Sequence, residues 1–284
     1  MATTRKKTVT TPMRSKNVWG DRLQPPFKAV GDHIGVDLPG GRALFCTRRG
    51  GVSGEPFEEL NVGLDTNDYM PAVEENRERT AQLIGIPRER WLESKQVHGS
   101  DVRVVTELSE PGAEPVEADG VATTLEDVAA VVVTADCLPV ALIAPGGVAM
   151  IHAGWRGLSK DVLKHGVEAL REAGVEGDIQ AAIGPGIGVC CYEVNTHVHR
   201  AFMRYGRGTA RLSNHAHLKS IARLQMQAAG LALDHIHDVD ICTMCAPRSL
   251  FHSHRRDYGA DPTDTGRQAS AVWRVEDDGD VAGA

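Results

Sequence analysis

The longest apolar stretch of the chain runs from Val128 to Ile151, and the residues that interrupt it decide what it can become. Asp136, Cys137 and Pro139 break it once, and Pro145, Gly146 and Gly147 break it again. A membrane span needs about 20 consecutive apolar residues, so this stretch cannot be one. It reads instead as successive buried strands over 128–134, 140–143 and 148–151, short and rich in β-branched residues. The last two flank Ala144-Pro145-Gly146-Gly147 and predict a hairpin, hence antiparallel pairing rather than a purely doubly wound parallel sheet.

Further strands are predicted over 43–46, 102–106, 179–183 and 239–242. Helices are predicted over 71–84, with Pro71 at its start and Gly85 after its end, and over 159–173, closed by Gly174. A third, over 216–229, sets Leu218, Ile221, Leu224 and Ala228 on one face. The mixture predicts an α+β fold. Residues 1–27 are polar and 276–284 acidic and small, and both are expected to be disordered tails. No Pro-, Gly- or Ser-rich linker divides 28–275, which is expected to be a single catalytic domain.

Charge and cysteine content narrow the function. At a net charge of −7 the 284-residue chain offers no general attraction to nucleic acid or to an anionic membrane. Its six cysteines, irregularly spaced, do not form a secreted disulfide framework, and no apolar segment follows the basic residues Arg5, Lys6, Lys7, Arg14 and Lys16. A cytoplasmic protein is expected.

Three residues stand out as metal-ligand types. His98 precedes a predicted strand in Gln96-Val-His-Gly-Ser100, Cys137 ends one against Pro139, and His152 ends another before Ala-Gly-Trp-Arg-Gly157. If the strands before Cys137 and His152 are neighbours, their ends lie side by side. Two imidazoles and a thiolate suit zinc or copper(I), and three ligands leave a fourth position open. Each residue alone has an ordinary structural reading as a hydrogen-bonded histidine or a buried cysteine.

Other segments suggest anion binding. Arg77 stands in the buried stripe Val73, Arg77, Thr80, Ile84 and needs an anionic partner, a structural carboxylate or a bound phosphate. The Gly-rich Thr47-Arg-Arg-Gly-Gly-Val-Ser53 can present N–H groups and a hydroxyl to phosphate, or simply turn. Arg255, Arg256 and Arg267 form either a solvated basic face or an anion clamp. Cys242-Thr-Met-Cys245 with His252 and His254 matches no standard zinc-finger spacing, so no second metal site is expected from that set.

Taken in order, Thr47–Ser53, Leu60-Asn-Val-Gly63, Glu75-Asn-Arg77, Gln96-Val-His-Gly99, Asp119-Gly120, Thr134-Ala-Asp-Cys-Leu-Pro139 and His152-Ala-Gly-Trp-Arg-Gly157 resemble the YfiH family. Ile183-Gly-Pro185, Cys191-Tyr-Glu-Val194, His254-Arg-Arg-Asp257 and Thr265-Gly-Arg267 extend the match. This is also called the laccase-domain or polyphenol oxidase family, to which human FAMIN is related. The resemblance implies mixed sheets in a sandwich flanked by helices, with a metal on the residues matching His98, Cys137 and His152. It implies a zinc-dependent purine nucleoside phosphorylase acting on adenosine, inosine or methylthioadenosine, with adenosine deaminase activity, and associates the residues matching Ser53 and Arg77 with phosphate. Arg256 is a third candidate for that anion. Older descriptions of the family imply a copper-dependent polyphenol oxidase instead. The family fold also resembles a bacterial toxin deamidase, which keeps a Cys137–His152 hydrolase in view. Two departures are Gly186, where many members have Cys, and a longer connection over 258–264.

Overall fold

The broken apolar run becomes the centre of the molecule because its residues are buried on both faces. The structure is a computed structural model and describes residues 18–108, 114–206, 211–212, 214–258 and 261–275. Among these residues two six-stranded sheets form. The first contains, in spatial order, β1 (Phe27–Val30), β2 (His33–Leu38), β3 (Gly41–Phe45), β14 (Gln268–Arg274), β7 (Ala129–Thr134) and β4 (Trp91–Leu92). Its pairs are antiparallel except β7 with β4. The second contains β13 (Ile236–Asp238), β10 (Gln180–Ile183), β8 (Leu138–Ala144), β9 (Gly147–Ala153), β6 (Gly120–Thr123) and β5 (Val102–Val105). Its outer pairs, β13 with β10 and β6 with β5, are parallel. A short hairpin joins β11 (Arg211–Leu212) to β12 (His215–Ala216).

The helices are α1 (Met70–Ile84), α2 (Trp155–Ser159), α3 (Val162–Glu172), α4 (Thr196–Ala201), α5 (Leu218–Ala228) and α6 (His254–Asp257). Along β8, Val140 and Leu142 pack with Leu163, Leu170 and Ile221 on the helical side. Their neighbours Ala141 and Ile143 pack with Phe45, Val132 and Met150 between the sheets. Side chains two residues apart share a face, so a strand covered on both sides must be apolar throughout. Each large aliphatic group buried there contributes about 1.5–3 kcal/mol. Leu44, Val131 and Ala271, on the far face of the first sheet, pack with Ala81 and Ile84 of α1. The result is a mixed-sheet sandwich flanked by helices.

The predicted hairpin forms, with Ala144 opposite Gly147. Other expectations shift. The helix expected over 159–173 is two helices, because Asp161 between them takes a left-handed φ of 60°. The strand expected over 239–242 lies earlier, as β13. β1, β2, β6 and β14 add strands that the sequence reading did not include. The expected tail over 1–27 also needs correction within the described residues: Trp19 is buried, with its ring centroid 6.1 Å from that of Phe251. Residues 1–17 and 276–284 lie outside the described residues. No helix among those described is long and apolar enough to cross a membrane.

Candidate metal centre and anion pocket

Cys137 lies where the chain leaves the first sheet at the end of β7 and enters the second at the start of β8. The β8–β9 register pairs Pro139 with His152 and Leu138 with Ala153, which brings Cys137 alongside Gly154 and His152. The proximity foreseen from the strands before the two residues therefore has another origin. β7 and β9 belong to different sheets, and it is the strand after Cys137 that pairs with β9. His98 arrives from the connection between β4 and β5. The ligand atoms of His98, Cys137 and His152 all lie within 4.8 Å of one another, and the two imidazole rings stand edge to face at 4.8 Å.

Asp119, fully buried at the start of β6, organises this group. Its carboxylate accepts from His152 Nδ1 at 2.7 Å, from the backbone N–H of His98 at 2.9 Å and Val97 at 3.2 Å, and from that of Gly99. These bonds hold His98 at a left-handed φ of 57° and leave Nε2 of His152 for the thiol side. Burial pushes the Asp119 carboxyl up, but the bonds from His152, Gly99 and Val97 together keep it below its ordinary value. Burial likewise opposes charge on Cys137 and His152. Their mutual attraction outweighs it, lowering the thiol with help from His98 and raising the imidazole with help from Asp119. A thiolate between two imidazoles is a borderline-soft donor set that fits zinc or copper(I). Gly154 leaves the necessary space, since a Cβ there would lie 2.9 Å from Cys137 Sγ and 3.2 Å from His98 Cδ2.

His98 is exposed and faces a cavity of about 950 Å³ that also receives Cys137 and His152. That volume is at the upper end of the range of about 300–1,000 Å³ usual for small-molecule sites. Trp155, Tyr192 and Leu64 supply apolar wall, and Arg77, Arg156, Arg255 and Arg267 supply cationic wall. Arg77 is answered by Glu93 and by the Val62 carbonyl at 3.0 Å, and its guanidinium lies 5.3 Å from the centroid of the Trp91 ring. Arg255 reaches the Glu193 carbonyl at 2.8 Å and stacks on Tyr192. Arg267 reaches the carbonyls of Thr265 and Gly266, and burial lowers its pKa. The last two thus spend their hydrogen bonds on neutral carbonyls, and Cys137, Asp136 and Asp65 face Arg267 as its nearest negative groups.

Ser53 and Arg256 are not on the cavity wall among the described residues. The Ser53 hydroxyl donates to Asp68 Oδ2 at 2.6 Å and accepts from Asn76 Nδ2 at 2.8 Å. Arg256 binds Asp257 through Nε at 3.0 Å and Nη2 at 2.9 Å, the Thr243 carbonyl at 3.1 Å, and the Phe251 carbonyl. Both expectations of direct anion contact meet side chains already committed within the fold. Asp136 is equally committed, accepting from Thr243 Oγ1 at 2.5 Å, Ser253 Oγ at 3.0 Å and the Arg255 N–H at 2.6 Å. It braces the β7–β8 turn, with a φ of 87°. The sequence reading gave no role to Asp119 or Gly154, although Asp119-Gly120 and His152-Ala-Gly stood among the motifs.

Together these features define a class of protein: a two-sheet α+β sandwich with an open two-histidine, one-cysteine centre at the wall of a pocket lined by both arginines and carboxylates. The family model described as multi-copper polyphenol oxidoreductase laccase matches residues 42–275. The chain belongs to that family, also known by its YfiH and YlmD members. A purine nucleoside phosphorylase of Xylella fastidiosa is 39% identical over 251 residues, covering 83% of this chain and 93% of that protein. Purine nucleoside phosphorylase YlmD of Geobacillus stearothermophilus is 37% identical over 256 residues, covering 84% and 92%. The crystal structure of YlmD from that organism superposes with a TM-score of 0.78 at 35% identity, covering 90% of this chain and 100% of that one. Bacillus licheniformis YfiH gives 0.76 at 31% identity, covering 88% and 99%.

Proposed function

We propose that this chain is a zinc-dependent purine nucleoside phosphorylase that converts adenosine or inosine and phosphate to free base and ribose 1-phosphate, and methylthioadenosine and phosphate to adenine and methylthioribose 1-phosphate. The observation that carries the reading is the joining, in one cavity, of an open metal-capable centre with Arg255 and Arg267, whose hydrogen bonds go to neutral carbonyls. The names of the relatives supply the substrate class, and adenosine deamination is proposed as a second activity at the same centre.

In phosphorolysis a phosphate oxygen forms a bond to the anomeric carbon while the bond from that carbon to the purine nitrogen breaks. The purine leaves with the bonding pair and takes up a proton. Arg267 and Arg255 bind and orient the phosphate, while Arg77, paired with Glu93, braces the same wall. Trp155 and Tyr192 cover the base and exclude water. His98, Cys137 and His152 would hold the zinc, which when bound would supply a Lewis acid at the cavity wall. Asp119 keeps His152 in the tautomer that presents Nε2 to the metal. Ser53 and Arg256 act through the loops they brace. The free state of all six cysteines supports a cytoplasmic setting.

Copper remains compatible with the donor types. The metal-capable groups among the described residues contain only two histidines, whereas multicopper oxidation relies on many. The Cys137–His152–Asp119 alignment would also suit a thiol nucleophile, but that leaves the approach of His98 to the same sulfur without a purpose. Purified His98→Ala tests the choice. Loss of both phosphorolysis and deamination is expected, and their survival at parental rates would overturn the metal-centred reading.

A further inference from the structure

A second group of soft ligands lies outside the cavity. β10 and β13 are parallel neighbours, so the loops that follow them emerge side by side, and an isolated bridge pairs Gly186 with Cys242. The first loop carries Cys190 and Cys191 and the second Cys242 and Cys245. Their four sulfurs lie within 4.8 Å of one another. The partners of Cys242 and Cys245 are thus two cysteines about fifty positions earlier, not the His252 and His254 considered from the sequence.

The arrangement has the features of a single-ion site. With metal–sulfur bonds of about 2.3 Å, four sulfurs around one zinc stand about 3.8 Å apart, so the observed group needs only small adjustments to close. Cys245 Sγ lies 3.3 Å from Cys190 Sγ and 3.2 Å from Cys191 Sγ. A disulfide could use only one of these partners and would leave the others crowded without gain, whereas one cation satisfies all four sulfurs. An iron–sulfur cluster would spread its cysteines over several irons, wider than this group. The backbone N–H of Gly188 donates to Cys242 Sγ at 3.2 Å, and those of Met244 and Cys245 point at the same atom. Such donors share the charge of a thiolate. Gly188 also leaves room, because a Cβ there would stand 3.1 Å from Cys190 Sγ.

We propose that Cys190, Cys191, Cys242 and Cys245 hold one structural zinc ion, separate from the His98, Cys137 and His152 centre and independent of the reaction assigned to it. The ion ties together two loops that lean on the pocket. Ile187 and Tyr192, from the first, line the cavity, and Thr243, from the second, bonds Asp136 beside Cys137. The site therefore stiffens the turn that presents the catalytic-centre thiol, without touching substrate.

The test is metal stoichiometry on the full-length chain, purified without a metal-binding tag and grown with zinc. The His98→Ala/Cys137→Ala variant is expected to retain one zinc per chain by elemental analysis. Titration of the double variant with an organic mercurial, read with a zinc-sensitive dye, should release this ion as the four thiols react. Cobalt substituted into the double variant should show the intense sulfur-to-metal absorption of several thiolates. Cys190→Ser should lower the affinity of the second site while the first keeps its metal. Retention of no zinc by a folded double variant would overturn the proposal. So would an intact mass two hydrogens below that of the reduced chain, which would mean a disulfide in place of the metal.

Discussion

Gly154→Ala separates the steric demands of the metal centre from everything else in the fold. The backbone at Gly154, φ −77° and ψ 169°, is open to alanine, so the substitution adds a methyl group without backbone strain. That methyl would stand 2.9 Å from Cys137 Sγ and 3.2 Å from His98 Cδ2. Non-bonded heavy atoms meet comfortably at about 3.5–4.0 Å, so Cys137 Sγ must retreat by roughly 0.6 Å or more and His98 by roughly 0.3 Å or more. Metal–ligand distances are held to about 0.2 Å, and disturbing the support of ligands typically costs about 10–100-fold in affinity. Overpacking adds about 1–3 kcal/mol of instability, and loss of glycine as the N-cap of α2 up to about 1 kcal/mol. Zinc affinity measured by competition with a chromogenic chelator should therefore fall about 10–100-fold, while circular dichroism of the apoprotein shows a folded chain. Gly154→Ser restores a favourable cap but keeps the added carbon, and should lose zinc equally. An alanine variant that binds zinc as tightly as the parent would refute the reasoning, and rescue by serine would assign the effect to the helix cap.

Asp119→Asn keeps the shape but weakens the acceptor for His152 and three backbone N–H groups, and zinc affinity should drop by about 10–100-fold in the same competition assay. Arg267→Ala removes charge-assisted bonds worth about 1.5–3 kcal/mol, so KM for phosphate should rise about 10–100-fold, with the nucleoside KM unchanged. Ser53→Ala should leave phosphate KM unchanged and lower the urea midpoint, because its hydroxyl bonds Asp68 and Asn76 inside the fold. Burial raises the Asp257 carboxyl, but Arg256 and the Ser253 N–H outweigh it and hold it below its ordinary value. Its stabilising contribution is thus complete above the unfolded value of about 3.9 and is lost as pH falls through the lower folded value. Urea unfolding across that acidic window should show a flatter pH dependence for Asp257→Asn than for the parent.

The sequence carried the centre of the fold clearly because burial on both faces leaves a distinctive mark. β7, β8 and β9 could be read from an apolar run that only Asp136, Cys137, Pro139 and the Pro145–Gly147 turn interrupt. β1 and β14 were not legible, since charged Lys28 and Arg274 share strands with buried residues and blur the alternation. The three candidate ligands could be named from residue type and motif order, but their meeting depends on the register of Pro139 with His152, which no local signal specifies. Ser53 and Arg256 show the opposite case. A Gly-rich loop with a hydroxyl and a basic segment looked suited to phosphate, yet the Ser53 hydroxyl is taken by Asp68 and Asn76, and Arg256 by its neighbour Asp257 and by the Thr243 and Phe251 carbonyls. The four-cysteine group was hidden for a similar reason, because only the parallel pairing of β10 with β13 joins its halves.

The central claim concerns the bond that breaks. Zinc-quantified protein should be incubated with adenosine, inosine and methylthioadenosine, with and without phosphate, and the products separated and identified by mass. The account predicts free purine base and the sugar 1-phosphate in equal amounts, formed only when phosphate is present. Intact nucleosides after incubation with phosphate, or base release at the same rate without it, would contradict the account.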